Sequence, residues 1–146
     1  MKTQIVLDTS AILALLAMEE GHEVVAENLE NAVVSSVNFS EVITVLVKRG
    51  LKHADVAQSL KDTFPQIEEL NAEQAIIAAA FVEPELSFGD RACLALAQYK
   101  NLRILSTNKE LMMLDLKTSE QNTAEKLSEI GVTATSDEYN KLVNPQ

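Results

Sequence analysis

Short runs of aliphatic and β-branched residues alternate with segments of helical periodicity through most of this chain. Residues 4–7 form the first run, which ends at Asp8, and an apolar helical segment over residues 11–18 follows it directly. Residues 32–35 and 102–105 are similar runs next to helical spacing. Because two parallel strands need a long crossover, which is usually a helix, this alternation predicts a mostly parallel sheet. The predicted fold class is a three-layer α/β/α sandwich.

Capping residues indicate where the helices begin and end. Thr9 and Ser10 are candidate N-caps for the first helix, which is predicted to end at Gly21. Asn38 and Glu41 fit a variant of the capping box for a helix that ends at Gly50. Further helices are predicted near residues 24–29, at 53–63, at 71–81 with Asn71 as cap, and at 87–99 with a capping box of Ser87 and Asp90; a further strand is predicted at 67–70.

The C-terminal part of the chain has a weaker pattern. It predicts a polar helix at 118–130, a strand at 132–135 and a short helix at 137–143. No repeat or linker marks a second domain, so residues 1–146 are predicted to form a single domain. Residues 117–146 are a C-terminal extension whose structure the pattern does not define.

Composition excludes several classes of protein. Cys93 is the only cysteine, which rules out an intramolecular disulfide and a cysteine zinc cluster, and a cytoplasmic location is expected. We expect Cys93 to fill the core. The longest apolar runs, 11–18 and 75–82, are far shorter than the ~20 residues that cross a bilayer. A net charge of −10 argues against a DNA-binding module but permits a nuclease, because bound metals reverse the local field.

Four polar residues are predicted to meet at one edge of the sheet. Asp8 and Asn108 follow predicted strands, while Glu41 and Asp90 lie in the first turns of predicted helices. Each carboxylate taken alone is better explained as a turn or cap residue. Ligands of parallel α/β sheets, however, bind beyond the carboxyl ends of the strands. Crowded carboxylates raise each other's pKa and need a cation, and oxygen ligands suit Mg²⁺ or Mn²⁺.

A metal in such a site favours hydrolysis of phosphate esters, because it lowers the pKa of a bound water and neutralises phosphate charge. His22 and His53 are the only histidines, and both lie in polar stretches that indicate surface positions. Acid–base catalysis by histidine is therefore disfavoured. The chain also has no glycine-rich phosphate loop of the Walker type.

The sequence resembles the PIN-domain family, and within it the VapC toxins, over about residues 3–114. The resemblance lies in Ile-Val-Leu-Asp-Thr-Ser at 5–10, Asn-Phe-Ser-Glu-Val at 38–42, Leu-Ser-Phe-Gly-Asp-Arg-Ala-Cys-Leu-Ala-Leu-Ala at 86–97 and Ile-Leu-Ser-Thr-Asn at 104–108. It implies a Mg²⁺- or Mn²⁺-dependent endoribonuclease, the toxin of a toxin–antitoxin pair, silenced by a VapB-like antitoxin. The implied metal ligands are Asp8, Glu41 and Asp90.

Asn108 departs from the family, which usually has an aspartate at this fourth position. A neutral amide oxygen can still bind a metal, but the lost charge weakens a second metal site. Glu110 or Asp115 could compensate, although solvated helix positions explain both better. Thr9 and Thr107 are candidate supporting residues, and Arg91 could contact a substrate phosphate or a carboxylate, or simply face solvent.

Three functional hypotheses follow. The first is an active ribonuclease toxin, and the second is a binding module that kept the fold and lost catalysis, as Asn108 suggests. The third is a housekeeping nuclease that processes ribosomal RNA precursors. For the toxin, we expect the antitoxin to insert an Arg or Lys that competes with the metal, and DNA contact only through that antitoxin. The resemblance also implies a homodimer.

Overall fold

The computed structural model describes residues 3–107 and the strand at 132–134. The sequence alternates between strands and helices as predicted. The strands are β1 (Ile5–Leu7), β2 (Ala32–Ser35), β3 (Gln66–Glu68), β4 (Arg103–Ser106) and β5 (Val132–Ala134), and the helices are α1 (Thr9–Ala17), α2 (His22–Glu27), α3 (Ser36–Lys48), α4 (His53–Thr63), α5 (Ala72–Ala79) and α6 (Phe88–Lys100).

The strands form one parallel sheet in the order β3-β2-β1-β4-β5. β1 lies at the centre, with Val6 opposite Val33 of β2 on one side and opposite Ile104 of β4 on the other. After β1, the chain adds β2 and β3 on one side of it and then returns to add β4 on the other side. This reversal creates a crevice at the carboxyl ends of β1 and β4, which is where ligands of such sheets bind.

Each face of the sheet has its own hydrophobic core. Val6, Val33 and Ile104 point to one face, where they pack with buried residues of α6. Leu7, Val34 and Leu105 point to the other face, where they pack with side chains of α1, α3 and α4. Successive strand residues therefore serve opposite layers, as the period of two in a strand requires. The predicted three-layer α/β/α sandwich is confirmed.

α6 is the most deeply buried helix of the described part of the chain. All six of its residues from Ala92 to Ala97 are at most 1% exposed. Cys93 is among them, so the prediction that it fills the core is confirmed. A helix enclosed on so many sides holds its first turn rigidly, and that turn carries Asp90.

Two predicted helix starts are wrong. The N-cap of α1 is Asp8 itself, not Thr9 or Ser10. The N-cap of α3 is Ser35, whose hydroxyl accepts from the Val37 N–H, so Asn38 lies inside the helix and does not cap it. In both cases the residue that ends the strand already supplies a capping oxygen, and the helix begins as soon as one is available.

Other element ends differ by a few residues. The C-cap of α1 is Met18, which adopts the left-handed conformation at φ 53°, while Gly21 is the N-cap of α2 and does not end α1. β3 ends at Glu68, two residues before the predicted end. The predicted caps of α5 and α6 are confirmed, as is a strand at 132–134. The helices predicted at 118–130 and 137–143 lie outside the described residues. Within the described residues, no helix has the length and hydrophobicity to cross a membrane.

Truncation of a core residue of α6 should destabilise the fold. Leu96 is fully buried, so Leu96→Ala leaves a cavity, and we expect the free energy of unfolding to fall by about 2–5 kcal/mol. Urea unfolding followed by circular dichroism measures this. The control is Gln98→Ala, an exposed position in the same helix, where we expect a change within about 0.5 kcal/mol. Equal effects at both positions would contradict the packing of α6.

Candidate active site

Asp8 occupies the centre of the crevice between β1 and β4. Its side chain is buried, with 1% of the residue exposed, and it caps α1 by accepting from the Ala11 N–H at 2.8 Å. The Ser10 hydroxyl donates to the same oxygen at 2.7 Å, and the Ser106 hydroxyl of β4 donates to the other. Three neutral donors, two from the first turn of α1 and one from the end of β4, therefore fix the carboxylate.

Burial raises the pKa of Asp8 from its ordinary value of 3.8 to about 6. Removal from water is the largest cause, since it penalises the charged form, and the negative charge of Asp90 acts in the same direction. The hydrogen bonds from Ser106, Ala11 and Ser10 lower the pKa and offset part of the effect. Over residues 3–107, no Lys, Arg or His forms an ion pair with Asp8.

Glu41 is held beside Asp8 by a second group of polar side chains. The Thr9 hydroxyl, directly after Asp8, donates to Oε1 of Glu41. The buried amide of Asn38 donates to the Thr9 hydroxyl at 3.0 Å and lies 3.5 Å from the same Glu41 oxygen. This amide also donates to the Gly89 carbonyl at 3.2 Å. Asn38 thus joins the start of α1, the first turns of α3 and the start of α6.

The Glu41 carboxylate rests directly against Gly89. A Cβ atom added to Gly89 would lie 2.0 Å from Oε1 and 2.4 Å from Cδ of Glu41, closer than any non-bonded contact allows. Only glycine admits the carboxylate at this place. Because Gly89 precedes Asp90, Glu41 is positioned against the turn that carries the third carboxylate.

Asp90 lies at the start of α6 and is 8% exposed. It forms the predicted capping box: the Ser87 hydroxyl accepts from the Asp90 N–H, and the Asp90 carboxylate accepts from the Ser87 N–H. Asp8 and Asp90 both lie at helix N-termini, whose partial positive charge stabilises a carboxylate. The two helices thus direct their positive ends toward the same crevice.

Cys93 is a buried thiol on which the charges of all three carboxylates act. Burial raises the pKa of this thiol well above its usual value, and the negative charges of Asp8, Asp90 and Glu41 each raise it further. One buried thiol is therefore close enough to feel all three charges. The topology brings together residues that are more than 80 positions apart in the sequence.

The supporting residues predicted from the sequence make different contacts in the structure. Thr9 belongs to the site through its bond to Glu41. Thr107 contributes its backbone N–H, which donates to the Ser10 hydroxyl at 3.0 Å. Arg91 lies over the ring of Phe88, 5.5 Å from its centroid. Asn108, Glu110 and Asp115 lie outside the described residues.

The polar neighbours of the two histidines predicted surface positions, and both side chains are at least partly exposed. His53 is exposed, and His22 is half-buried beside Glu23, with 3.0 Å between Nε2 and the carboxylate. Neither histidine hydrogen-bonds to Asp8, Glu41 or Asp90 in the described part of the chain.

The donor set fits a hard divalent cation in its chemistry. Asp8 is a buried carboxylate without a paired cation over residues 3–107, and Mg²⁺ and Mn²⁺ prefer such oxygen ligands. As the side chains lie, however, no three His, Cys, Asp or Glu side chains of the described residues are close enough to share one ion. The Asp90 carboxylate is bonded to Ser87 and that of Glu41 to Thr9. A shared ion therefore requires these side chains to turn inward.

Sequence reasoning missed four residues that shape this site. The sequence pattern predicted Asn38 as a helix cap and gave no direct indication that any of the other three contacts a carboxylate. These three are Ser10, Ser106 and Gly89. Ser106 had one signal, since it ends the strand next to β1. The one signal for Gly89 is its place as the second residue of a helix, because glycine is less favourable than alanine in helices.

Known proteins match this chain over most of its length. A model of the PIN domain matches residues 5–115. A VapC ribonuclease of Mycobacterium bovis is 29% identical in an alignment 126 residues long, which covers 77% of this chain and 96% of the relative. A chain of a toxin–antitoxin complex from Klebsiella pneumoniae superposes with a TM-score of 0.61 at 19% identity, covering 91% of this chain and 98% of its own length. VapC20 of Mycobacterium tuberculosis, a sarcin–ricin loop cleaving toxin, superposes with a TM-score of 0.60 at 21% identity, covering 74% and 92%.

The buried charge of Asp8 should make stability depend on pH. The pKa of Asp8 is higher in the folded than in the unfolded state, so the folded state binds more protons between about pH 4 and 6. The free energy of unfolding therefore falls as the pH rises through this range. The full effect of a shift of this size is about 3 kcal/mol. We therefore expect Asp8→Asn to be more stable than the wild type at pH 7.5, by up to that amount, with a much smaller difference at pH 4.

Urea unfolding of both proteins in the presence of a chelator, at several values between pH 4 and 7.5, measures this difference. The matched control is Asp55→Asn, an exposed aspartate in α4, whose stability should follow that of the wild type. A difference between Asp8→Asn and wild type that stays constant across the range would refute the assignment.

Proposed function

Because this chain belongs to the PIN-domain family, we propose that it is a metal-dependent endoribonuclease and the toxin of a toxin–antitoxin pair. The observation that carries the proposal is the buried Asp8 carboxylate at the reversal point of the sheet, which has no paired cation among residues 3–107. The charges of Asp8, Glu41 and Asp90 all act on the nearby buried thiol of Cys93. The similarity to VapC ribonucleases supports the choice of RNA as the substrate.

Asp8, Glu41 and Asp90 would hold the metal, Mg²⁺ or Mn²⁺, and Asn108 would add a weaker neutral ligand. When bound, such a metal lowers the pKa of a water molecule and neutralises charge on a phosphodiester. The chain's own contribution is position. Ser10 and Ser106 orient Asp8, while Thr9 orients Glu41.

The proposed protein partner is a VapB-like antitoxin. A site that gathers three carboxylates attracts positive charge, so an Arg or Lys of the inhibitor would occupy the place of the metal. The similarity to a chain of a toxin–antitoxin complex supports such a partner. DNA contact would then come through the antitoxin, and the homodimer implied by the resemblance remains a prediction.

Substitution of the carboxylates tests the activity. Purified protein should cut single-stranded RNA with Mg²⁺ or Mn²⁺ and not with a chelator. Asp8→Asn, Glu41→Gln and Asp90→Asn should each lower kcat/KM by at least ~100-fold, because each removes a negative charge that would hold the metal. Asp55→Asn and Glu73→Gln, which change exposed carboxylates of α4 and α5, should cut like the wild type.

Undiminished cutting by Asp8→Asn would remove the mechanism. RNA binding without any metal-dependent cutting by the wild type would instead favour the binding module that has lost catalysis.

Gly89→Ala tests the contact between Glu41 and the start of α6. The added methyl group would lie 2.0 Å from the Glu41 carboxylate, so that side chain must move. Alanine favours a helix more than glycine does, so the free energy of unfolding should hold or rise by up to about 1 kcal/mol. The displaced carboxylate should nevertheless lower kcat by about 100-fold. A variant that is stable and fully active would show that the position of Glu41 does not matter.

A further inference from the structure

A groove runs alongside the carboxylates and shares Glu41 with them. It has a volume of about 600 Å³, within the ~300–1,000 Å³ typical of small-ligand pockets. α3 forms one wall and the ring of Phe88, at the start of α6, forms part of the other. Because Glu41 lines both the groove and the candidate active site, a group bound here would lie next to the reacting phosphate.

The α3 wall combines two stripes of side chains. Ser36, Ser40 and Thr44 recur every four residues and present hydroxyl groups, while Val37 and Val45 flank Glu41 at the same spacing on the neighbouring stripe. The hydroxyl of Ser36 accepts from the Leu70 N–H and that of Thr44 donates to the Ser40 carbonyl. The exposed Ser40 hydroxyl makes no hydrogen bond to residues 3–107. It can therefore bond to a ligand.

Phe88 is an aromatic ring kept on the surface. It is 50% exposed, although a large apolar side chain normally gains from burial. Arg91 lies over the ring with its guanidinium carbon 5.5 Å from the centroid, a cation–π contact that restrains the ring. Because Phe88 also lines the groove, its exposed surface can contact a bound group.

The charge of the groove indicates what it binds. Glu41 is the only charged side chain that lines it among the described residues, so a phosphate would be repelled. The net charge of −10 likewise gives the chain little capacity to bind nucleic acid by its backbone. A flat, neutral group with hydrogen-bonding edges fits instead. Unpaired nucleobases are such groups, and proteins commonly stack them on aromatic side chains.

We propose that this groove binds one unpaired nucleobase next to the scissile phosphate, stacked on Phe88 and hydrogen-bonded by the hydroxyl stripe of α3. The inference rests on the proposed ribonuclease function and narrows its substrate to RNA whose bases are unpaired at the cleavage point. A paired base cannot enter, because its faces are stacked and its edge is occupied.

Fluorescence tests the groove without any catalysis. The chain contains no tryptophan, so Phe88→Trp places a single indole there. With a chelator present to prevent cutting, we add a single-stranded decaribonucleotide of mixed sequence, or the same strand in a duplex. The single strand should quench the indole and the duplex should not, although the duplex carries more charge.

The matched control is Tyr99→Trp, at an aromatic residue of similar exposure, 44%, in the same helix and about three turns away. Its emission should change with neither RNA. Equal quenching by both RNAs, or no quenching of Phe88→Trp by the single strand, would overturn the proposal. So would emission that changes with protein concentration and not with RNA, since a second copy would then cover the groove.

Kinetics give a second readout. Phe88→Leu keeps an apolar side chain and loses the flat ring, so kcat/KM on the single strand should fall roughly 5- to 100-fold, the range expected from loss of one stacked base. Phe88→Tyr keeps the flat ring and should retain most of the activity that Phe88→Leu loses. Tyr99→Leu, at a residue that does not line the groove, should stay close to the wild type. If Phe88→Leu cuts as well as the wild type, the groove is not a base site. If the wild type cuts no RNA, the ribonuclease proposal fails, while the fluorescence result still decides whether the groove binds a base.

Discussion

The burial of the Asp8 carboxylate is the constraint on which the rest of this site depends. Asp8 directly follows the central strand and caps the first helix, so its position follows from the fold. Its neighbours supply hydroxyl and amide donors, and residues 3–107 supply no ion pair to it. Neutral donors recover only part of the free energy lost when a carboxylate leaves water. The fold therefore maintains a charge that an added cation would stabilise.

Much of the fold could be predicted because its determinants are local or periodic. Alternating aliphatic runs identified four of the strands, and the asparagine and serine caps of α5 and α6 were visible within four residues of sequence. The start of α3 was misplaced because Ser35 and Asn38 both offer a capping oxygen, and the sequence does not rank them. The strand decides, since β2 delivers Ser35 in an extended conformation at the point where the helix can begin.

The site was only partly predictable for a related reason. Carboxylates that follow strands or begin helices can be recognised one at a time, which was enough for Asp8, Glu41 and Asp90. Their partners cannot, because each contact joins distant segments: Ser106 is 98 positions from Asp8, and Asn38 is 29 positions from Thr9 and 51 from Gly89. Serine, asparagine and glycine have many common uses in proteins, so only the folded arrangement distinguishes these.

The corrected start of α3 explains how this helix contributes to the candidate active site, to the hydrophobic core and to the groove. With Ser35 as cap, Asn38 lies in the first turn with its amide buried against Thr9 and Gly89, and Glu41 follows three residues later on the same side of the helix. Val42 faces the core, while Ser40 and Thr44 face the groove. Because Asn38 fixes the rotation of the helix against α1 and α6, it sets the position of the Glu41 carboxylate and the orientation of the groove wall together. A change that loosens Asn38 would therefore disturb the proposed metal site and the proposed base site at once, although Asn38 lines no part of the groove.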